Sequence, residues 1–196
     1  MNINIPGPTG MLEGRLTFAK QPNNEFALLC HPHPLYGGSM EDSIIKSAAN
    51  IAIEAGFNAI RFNFRGTGAS EGTHHGSEEY QDIIAVSSWA NTEFSAENII
   101  LVGYSFGAAM AWKAESKVTN QCKTILIAPP TPLPKLSRIA NEKVKIIAGT
   151  NDPFCEIDLL EKDPHIDLFT IANADHFFSG EAHNLTNTLT EIIGTP

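Results

Sequence analysis

Asn98-Ile-Ile-Leu-Val-Gly-Tyr-Ser-Phe-Gly-Ala-Ala-Met-Ala-Trp112 is the stretch that decides how this chain folds. The apolar run up to Val102 predicts a buried strand, and the alanine-rich run from Ala108 predicts a helix. A single serine, Ser105, sits at the joint, inside Gly103-Tyr-Ser-Phe-Gly107. A strand that turns straight into a helix holds such a residue in a strained conformation, with its hydroxyl exposed above the sheet edge. Glycines two before and two after it let neighbouring backbone come close. Gly-x-Ser-x-Gly alone recurs by chance. Between a buried strand and a helix it points to a serine nucleophile.

Outward from this joint, the chain alternates between two periodicities. Strands are predicted over Leu12–Phe18, Phe26–Cys30, Asn58–Phe64, Asn98–Val102, Lys123–Ala128, Lys143–Ala148 and Asp167–Ile171. Helices are predicted over Ser43–Ala55, Ser77–Asn91, Ser105–Ser116, Ile157–Glu161 and Glu181–Ile193. Gly56 ends the first helix as a C-terminal cap, and a Ser-x-Glu-Glu start opens the second. Strands that alternate with helices imply parallel crossovers, hence an α/β fold with a mostly parallel central sheet and helices on both faces. The runs Phe26–Cys30 and Ile125–Ala128 are apolar on both faces, as central strands covered from two sides must be. In such sheets chemistry gathers at the carboxyl ends of the strands. The segments there are His31-Pro-His33, Arg65-Gly-Thr-Gly68, Ser105, Pro129-Pro130, Gly149-Thr-Asn-Asp152 and Asn173-Ala-Asp-His176.

The 196 residues fit a single domain spanning 1–196, with 42% hydrophobic and 18% charged residues. A formal charge of -9 argues against a nucleic-acid partner, which calls for a basic patch. Met1 to Gly10 lacks the pattern of a signal peptide, and no apolar run reaches membrane-spanning length. Cys30, Cys122 and Cys155 are scattered without CxxC spacing, so neither a disulfide framework nor a zinc site is expected. Cys30 and Cys122 read as core thiols. A cytoplasmic protein with no membrane partner is the expectation, and the oligomeric state is not indicated.

A serine hydroxyl is a weak nucleophile at neutral pH. It needs a base within hydrogen-bond reach, and the base needs an acid to fix its tautomer. On this architecture the chain order is serine, acid, histidine. Asp152 follows the strand Lys143–Ala148, and His176 follows Asp167–Ile171, each in the required place. Asp158, Asp163 and Asp167 lie in a helical or polar stretch and read as solvated. Asp175 reads as pointing elsewhere or capping the next helix. His183 is the alternative base, and His165 reads as a surface residue.

An oxyanion hole needs two N–H donors. Phe106, directly after the serine, supplies one; the other should come from His31-Pro-His-Pro-Leu-Tyr-Gly-Gly-Ser-Met40. Pro32 and Pro34 have no N–H. Leu35 is the first choice and Tyr36 the second, with Gly37-Gly38 permitting the bend. His31-x-His33 with His74-His75 superficially suggests a metal site. However, an i, i+2 pair at a strand end points to opposite faces, and no carboxylate joins it at ligand spacing. No metal and no cofactor are expected, and His31 is read as a brace for the loop. Arg65-Gly-Thr-Gly-Ala-Ser-Glu-Gly72 lacks the lysine of a phosphate loop and is read as structural support. Tyr36, His33, Phe106, Phe154, Phe177 and Phe178 are expected to line an apolar cleft, with the competing reading that one of Phe177 and Phe178 anchors the last helix in the core.

These motifs together resemble the α/β-hydrolase superfamily. More narrowly, they resemble small bacterial members that carry His-Pro-His-Pro-x-x-Gly-Gly-x-Met, Arg-Phe-Asn-Phe-Arg-Gly-x-Gly-x-Ser-x-Gly and Gly-x-Ser-Phe-Gly-Ala. Here these stand at 31–40, 61–72 and 103–108. The resemblance implies Ser105, Asp152 and His176 as a triad, and hydrolysis of carboxylic or thio esters of small molecules without a cofactor. Larger relatives insert a lid after the strand that follows the nucleophile helix. Pro129 to Glu142 is too short for one, which implies an open cleft and short acyl groups. Amide cleavage by the same triad, and a non-catalytic binding protein on the same fold, are the competing readings.

Overall fold

The computed structural model describes residues 1–21, 23–133 and 143–194, the side chains of 121 and 122 excepted. Among these, eight strands form one sheet: β1 (Asn2–Gly7), β2 (Gly10–Thr17), β3 (Glu25–Cys30), β4 (Asn58–Phe62), β5 (Asn98–Tyr104), β6 (Gln121–Ile127), β7 (Val144–Gly149) and β8 (Ile166–Ile171). Their order is β1-β2-β4-β3-β5-β6-β7-β8. β2 is antiparallel to both β1 and β4, and every pairing from β4 to β8 is parallel. The helices are α1 (Ser43–Glu54), α2 (Tyr80–Phe94), α3 (Phe106–Ala114), the single turn α4 (Ile157–Leu160) and α5 (Ala182–Gly194).

The side-chain period of two divides each central strand between two cores. Phe26, Leu28 and Cys30 of β3 join Phe62, Leu101, Ile83 and Trp112 on the α2–α3 face. Ala27 and Leu29 join Val102, Ala48, Ala52 and Leu189 on the α1–α5 face. Each large side chain removed from water here contributes about 1.5–3 kcal/mol. The chain moves from β3 to β4 on one side and then to β5 on the other. This reversal opens a crevice at the carboxyl ends of β3 and β5.

The structure departs from the sequence reading at several boundaries. β1 was not anticipated; its alternation of Asn and Ile ends in Pro6 and Gly7, which read as turn. It lies at the sheet edge, where a proline costs no internal ladder bond. β4 stops at Phe62 rather than Phe64, because the Asn63 amide donates to Glu13 O (2.8 Å) and the Phe64 amide to His31 Nε2 (3.0 Å). α2 starts at Tyr80 rather than Ser77, since the Glu79 carboxylate turns back into the preceding loop. α3 starts at Phe106, leaving Ser105 outside it. Cys30 is buried as expected, and its burial pushes the thiol pKa up. The side chain of Cys122 and most of the stretch expected to replace a lid, 134–142, lie outside the described residues.

Candidate active site

Ser105 has φ 52 and ψ -115, left-handed backbone that a non-glycine residue adopts only under tight local constraint. Its amide donates to Ile127 O of β6 at 2.9 Å, which fixes the turn against the sheet. The flanking glycines are required by space. A Cβ on Gly103 would stand 2.5 Å from Gly107 O, and one on Gly107 would run into the carbonyls of Cys30 and His31 at the end of β3. The motif therefore encodes a crossing of two backbones.

The loops after β5, β7 and β8 bring three side chains together. Ser105 Oγ lies 2.9 Å from His176 Nε2, and His176 Nδ1 lies 2.7 Å from Asp152 Oδ2. A carboxylate only accepts, so Nδ1 carries the imidazole proton and Nε2 is left to accept from the serine hydroxyl. Asp152 Oδ1 accepts from the Phe154 amide (2.8 Å), which fixes the carboxylate's rotation. Both Asp152 and His176 are only 8% exposed, so water competes little for these bonds.

The competing residues are elsewhere. Asp175 Oδ1 accepts from the amides of Phe177 (3.0 Å) and Ser179 (2.9 Å), and those bonds, led by Ser179, hold its carboxyl below the usual range. Asp167 pairs with Lys143 and Lys145, and Asp163 accepts from the His165 amide. His183 is exposed on α5, where its Nε2 meets Asn187.

The loop after β3 engages both amides expected as oxyanion donors. Pro34–Tyr36 forms a single 3-10 turn capped by His33. The Leu35 amide donates to His33 Nδ1 (3.2 Å) and the Tyr36 amide to His33 O (3.0 Å), so both are committed inside the loop. Leu35 points to solvent at 77% exposure. The His33 amide has no acceptor among the described residues, and neither does the Phe106 amide.

The 61–72 motif holds this loop in place. Met40 donates its amide to Asn63 Oδ1 and accepts from Arg61 Nη1, both at 2.8 Å. The fully buried His31 accepts the Phe64 amide at Nε2, so its Nδ1 donates to Pro32 O (2.7 Å). This neutral tautomer is sealed in, and burial lowers its pKa to about 4. Arg65 pairs with buried Asp82 (2.6 Å) and His74 Nδ1 with buried Glu79 (3.0 Å). Burial, then the neighbouring His74, lowers the pKa of His33.

A cavity of about 590 Å³ opens over Ser105 and His176. Tyr36, His33, Phe106, Phe154 and Phe177 line it, whereas Phe178, also expected there, does not. Phe177 is 68% exposed while Phe178 is buried, so Phe178 is the core anchor. Pro130, from a segment expected at the strand ends, also lines the cavity, as do Tyr104 and Asp42, which were not anticipated there. Asp42 precedes a helix and carries an N-cap signal, which says nothing about what lies above it. No helix among the described residues is long and apolar enough to cross a membrane.

Known proteins share this construction. The sequence model of the alpha/beta hydrolase family matches residues 29–187. A protein of Xanthomonas campestris, described as an a/b serine hydrolase without lid, is 28% identical and superposes with a TM-score of 0.87, covering 97% of this chain and 92% of its own. An alpha-beta serine hydrolase homologue of Coxiella burnetii is 29% identical with a TM-score of 0.86, covering 98% and 96%. An uncharacterized protein of Rickettsia prowazekii is 29% identical over 98% of this chain and 88% of its own. With the fold, the sharp turn at Ser105 and the match over most of its length, this chain belongs to the alpha/beta hydrolase family.

Proposed function

We propose that this chain is a serine esterase that cleaves carboxylic or thio esters of small molecules through Ser105, His176 and Asp152. The observation that carries this reading is the continuous hydrogen-bond path from Ser105 Oγ through His176 (2.9 Å) to Asp152 (2.7 Å). His176 Nε2 takes the serine proton as Oγ attacks the ester carbonyl carbon. The carbonyl oxygen becomes an oxyanion and receives the amides of Phe106 and His33, the second replacing Leu35 and Tyr36. The tetrahedral species collapses, and the alcohol or thiol leaves with the proton held on Nε2. Water then gives its proton to the same nitrogen as it attacks the acyl carbon, and the second tetrahedral species collapses, releasing the acid and Ser105 Oγ, which takes that proton back from Nε2. Asp152 holds the ring and stabilises its cation throughout.

The cavity volume of about 590 Å³ is that of a small-molecule site, and the shortness of the 129–142 stretch, too brief for a lid, favours short acyl groups. A fluorophosphonate probe should attach to Ser105. Ser105→Ala should abolish labelling and lower kcat on p-nitrophenyl acetate by about 10⁴- to 10⁶-fold. A variant that keeps most of the wild-type rate overturns the assignment. Activity that rises steadily from acetyl to palmitoyl esters overturns the short-acyl preference.

A further inference from the structure

We propose that Asp42 makes this site selective for esters whose leaving group or acyl part carries a positively charged ammonium group; the inference rests on the serine esterase reading above. Among the described residues, Asp42 is the only acidic side chain that lines the cavity, and no lysine or arginine among them lines it. As N-cap of α1, it uses one oxygen: Oδ1 accepts from the amides of Ile44 (2.9 Å) and Ile45 (3.2 Å). Oδ2 has no hydrogen-bond partner, and no cation comes within ion-pair distance of the carboxylate, among the described residues. One oxygen therefore holds the helix, while the other is left without a hydrogen bond among the described residues in a side chain that lines the cavity.

The walls around it suit a cation. Tyr36, Tyr104, Phe154 and Phe177 turn aromatic surface to the same space, and ring faces attract alkylammonium groups. Tyr104 forms part of the wall shared with Asp42. Burial, then the charge of Asp42, pushes its phenol pKa well up. Tyr104 donates its hydroxyl to His176 O at 3.1 Å, so that hydroxyl does not neutralise Asp42. Asp42 and Ser105 share one cavity of about 590 Å³, so a small molecule can reach both. A neutral substrate would leave the carboxylate desolvated beside apolar atoms; a cationic one would pair with it. The formal charge of -9 adds a long-range attraction of the same sign.

The test compares acetylthiocholine with its uncharged isostere, 3,3-dimethylbutyl thioacetate, in wild type and Asp42→Asn. Asparagine caps a helix about as well as aspartate, so the substitution removes charge while keeping α1 in place. Asp42→Ser, another capping residue, serves as the second variant. The readout is the ratio of kcat/KM for the two thioesters in one preparation, which cancels any general loss of folded enzyme. Wild type should favour the cation by about tenfold or more, and either variant should bring the ratio down toward one. A wild-type ratio near one with Ser105 still labelled by fluorophosphonate overturns this inference alone, as does a high ratio that survives both substitutions. Turnover of neither thioester with Ser105 unlabelled overturns the esterase reading, and this inference with it.

Discussion

Two carboxylate–histidine pairs flank the serine turn, and they serve different ends. On the β7–β8 side, Asp152 holds His176 Nδ1 at 2.7 Å while Nε2 meets Ser105 Oγ at 2.9 Å. On the β3–β4 side, His74 Nδ1 comes within 3.0 Å of Glu79 without a hydrogen bond, and its ring packs with centroids 5.3 Å from Phe106 and 5.0 Å from His33. Both carboxylate side chains are fully buried. A buried acid beside a histidine is therefore not enough for chemistry. On the proposed reading a hydroxyl must lie at the second nitrogen, and the φ 52 backbone of Ser105 brings one there on the His176 side. The other side uses the same chemical groups to stiffen a loop.

The comparison breaks most readily at Asp152. Asp152→Asn keeps shape but turns a donor toward Nδ1, which selects the wrong imidazole tautomer. We expect kcat to fall by about 10⁴-fold with the unfolding temperature little changed, measured by ester hydrolysis alongside thermal unfolding. A loss below tenfold would remove Asp152 from the chemistry.

The next largest effect belongs to the bracing side. Arg65 gives Asp82 three side-chain hydrogen bonds and a backbone one, inside a site where Asp82 is wholly buried. Burial pushes the Asp82 carboxyl up, and Arg65 opposes that. Arg65→Met strands the carboxylate and should cost about 3–5 kcal/mol in urea unfolding. Protein that remains folded should still label at Ser105. Loss of labelling in the folded fraction would show that this side reaches the nucleophile after all.

How much of this was legible in the sequence differs in the same way. Ser105, Asp152 and His176 each follow a strand in a fixed chain order, so topology alone brought them to one edge. The central strands were legible too, because their apolar runs serve both cores. What stayed hidden is loop-internal. Nothing in Pro34-Leu-Tyr36 tells that His33 would collect the next two amides, since a 3-10 turn is set by backbone dihedrals. Glu79 read as part of a helix start because the pattern Ser-x-Glu-Glu fits one. Its carboxylate instead accepts the amides of His75 (2.6 Å) and Gly76 (3.0 Å) in the preceding loop. Asp42 announced a cap, and capping does not reveal which cavity a second oxygen faces. β1 was hidden because an edge strand can carry the polar and proline residues that usually mark a loop.

A pH titration sharpens the contrast at a smaller scale. Burial lowers the folded-state pKa of His31 from 6.5 to about 4. Between those values the unfolded chain binds a proton that the folded one excludes, so stability is lost as pH falls through this window and is intact above it. The integrated loss is about 3 kcal/mol. Urea midpoints from pH 7 to 4.5 should show it, and His31→Gln should flatten the slope. An equal slope in the variant would assign the acid sensitivity to other groups.

The smallest effect decides between the two pairs directly. In Glu79 the amides of Gly76 and His75 outweigh burial and hold the carboxyl below its usual range. Glu79→Gln keeps one carbonyl for those amides but loses the charge that strengthens them. It also turns an NH₂ group into a fully buried site. The expected cost is about 1–3 kcal/mol of stability. Because His74 has no hydroxyl at its other nitrogen, turnover should stay within about tenfold of wild type, a barrier change of no more than about 1.4 kcal/mol. A fall comparable to that of Asp152→Asn, in protein with an intact unfolding transition, would mean that the second pair acts on the reacting atoms through His33 and Phe106. The two sides of the serine would then be one machine rather than a site and its brace.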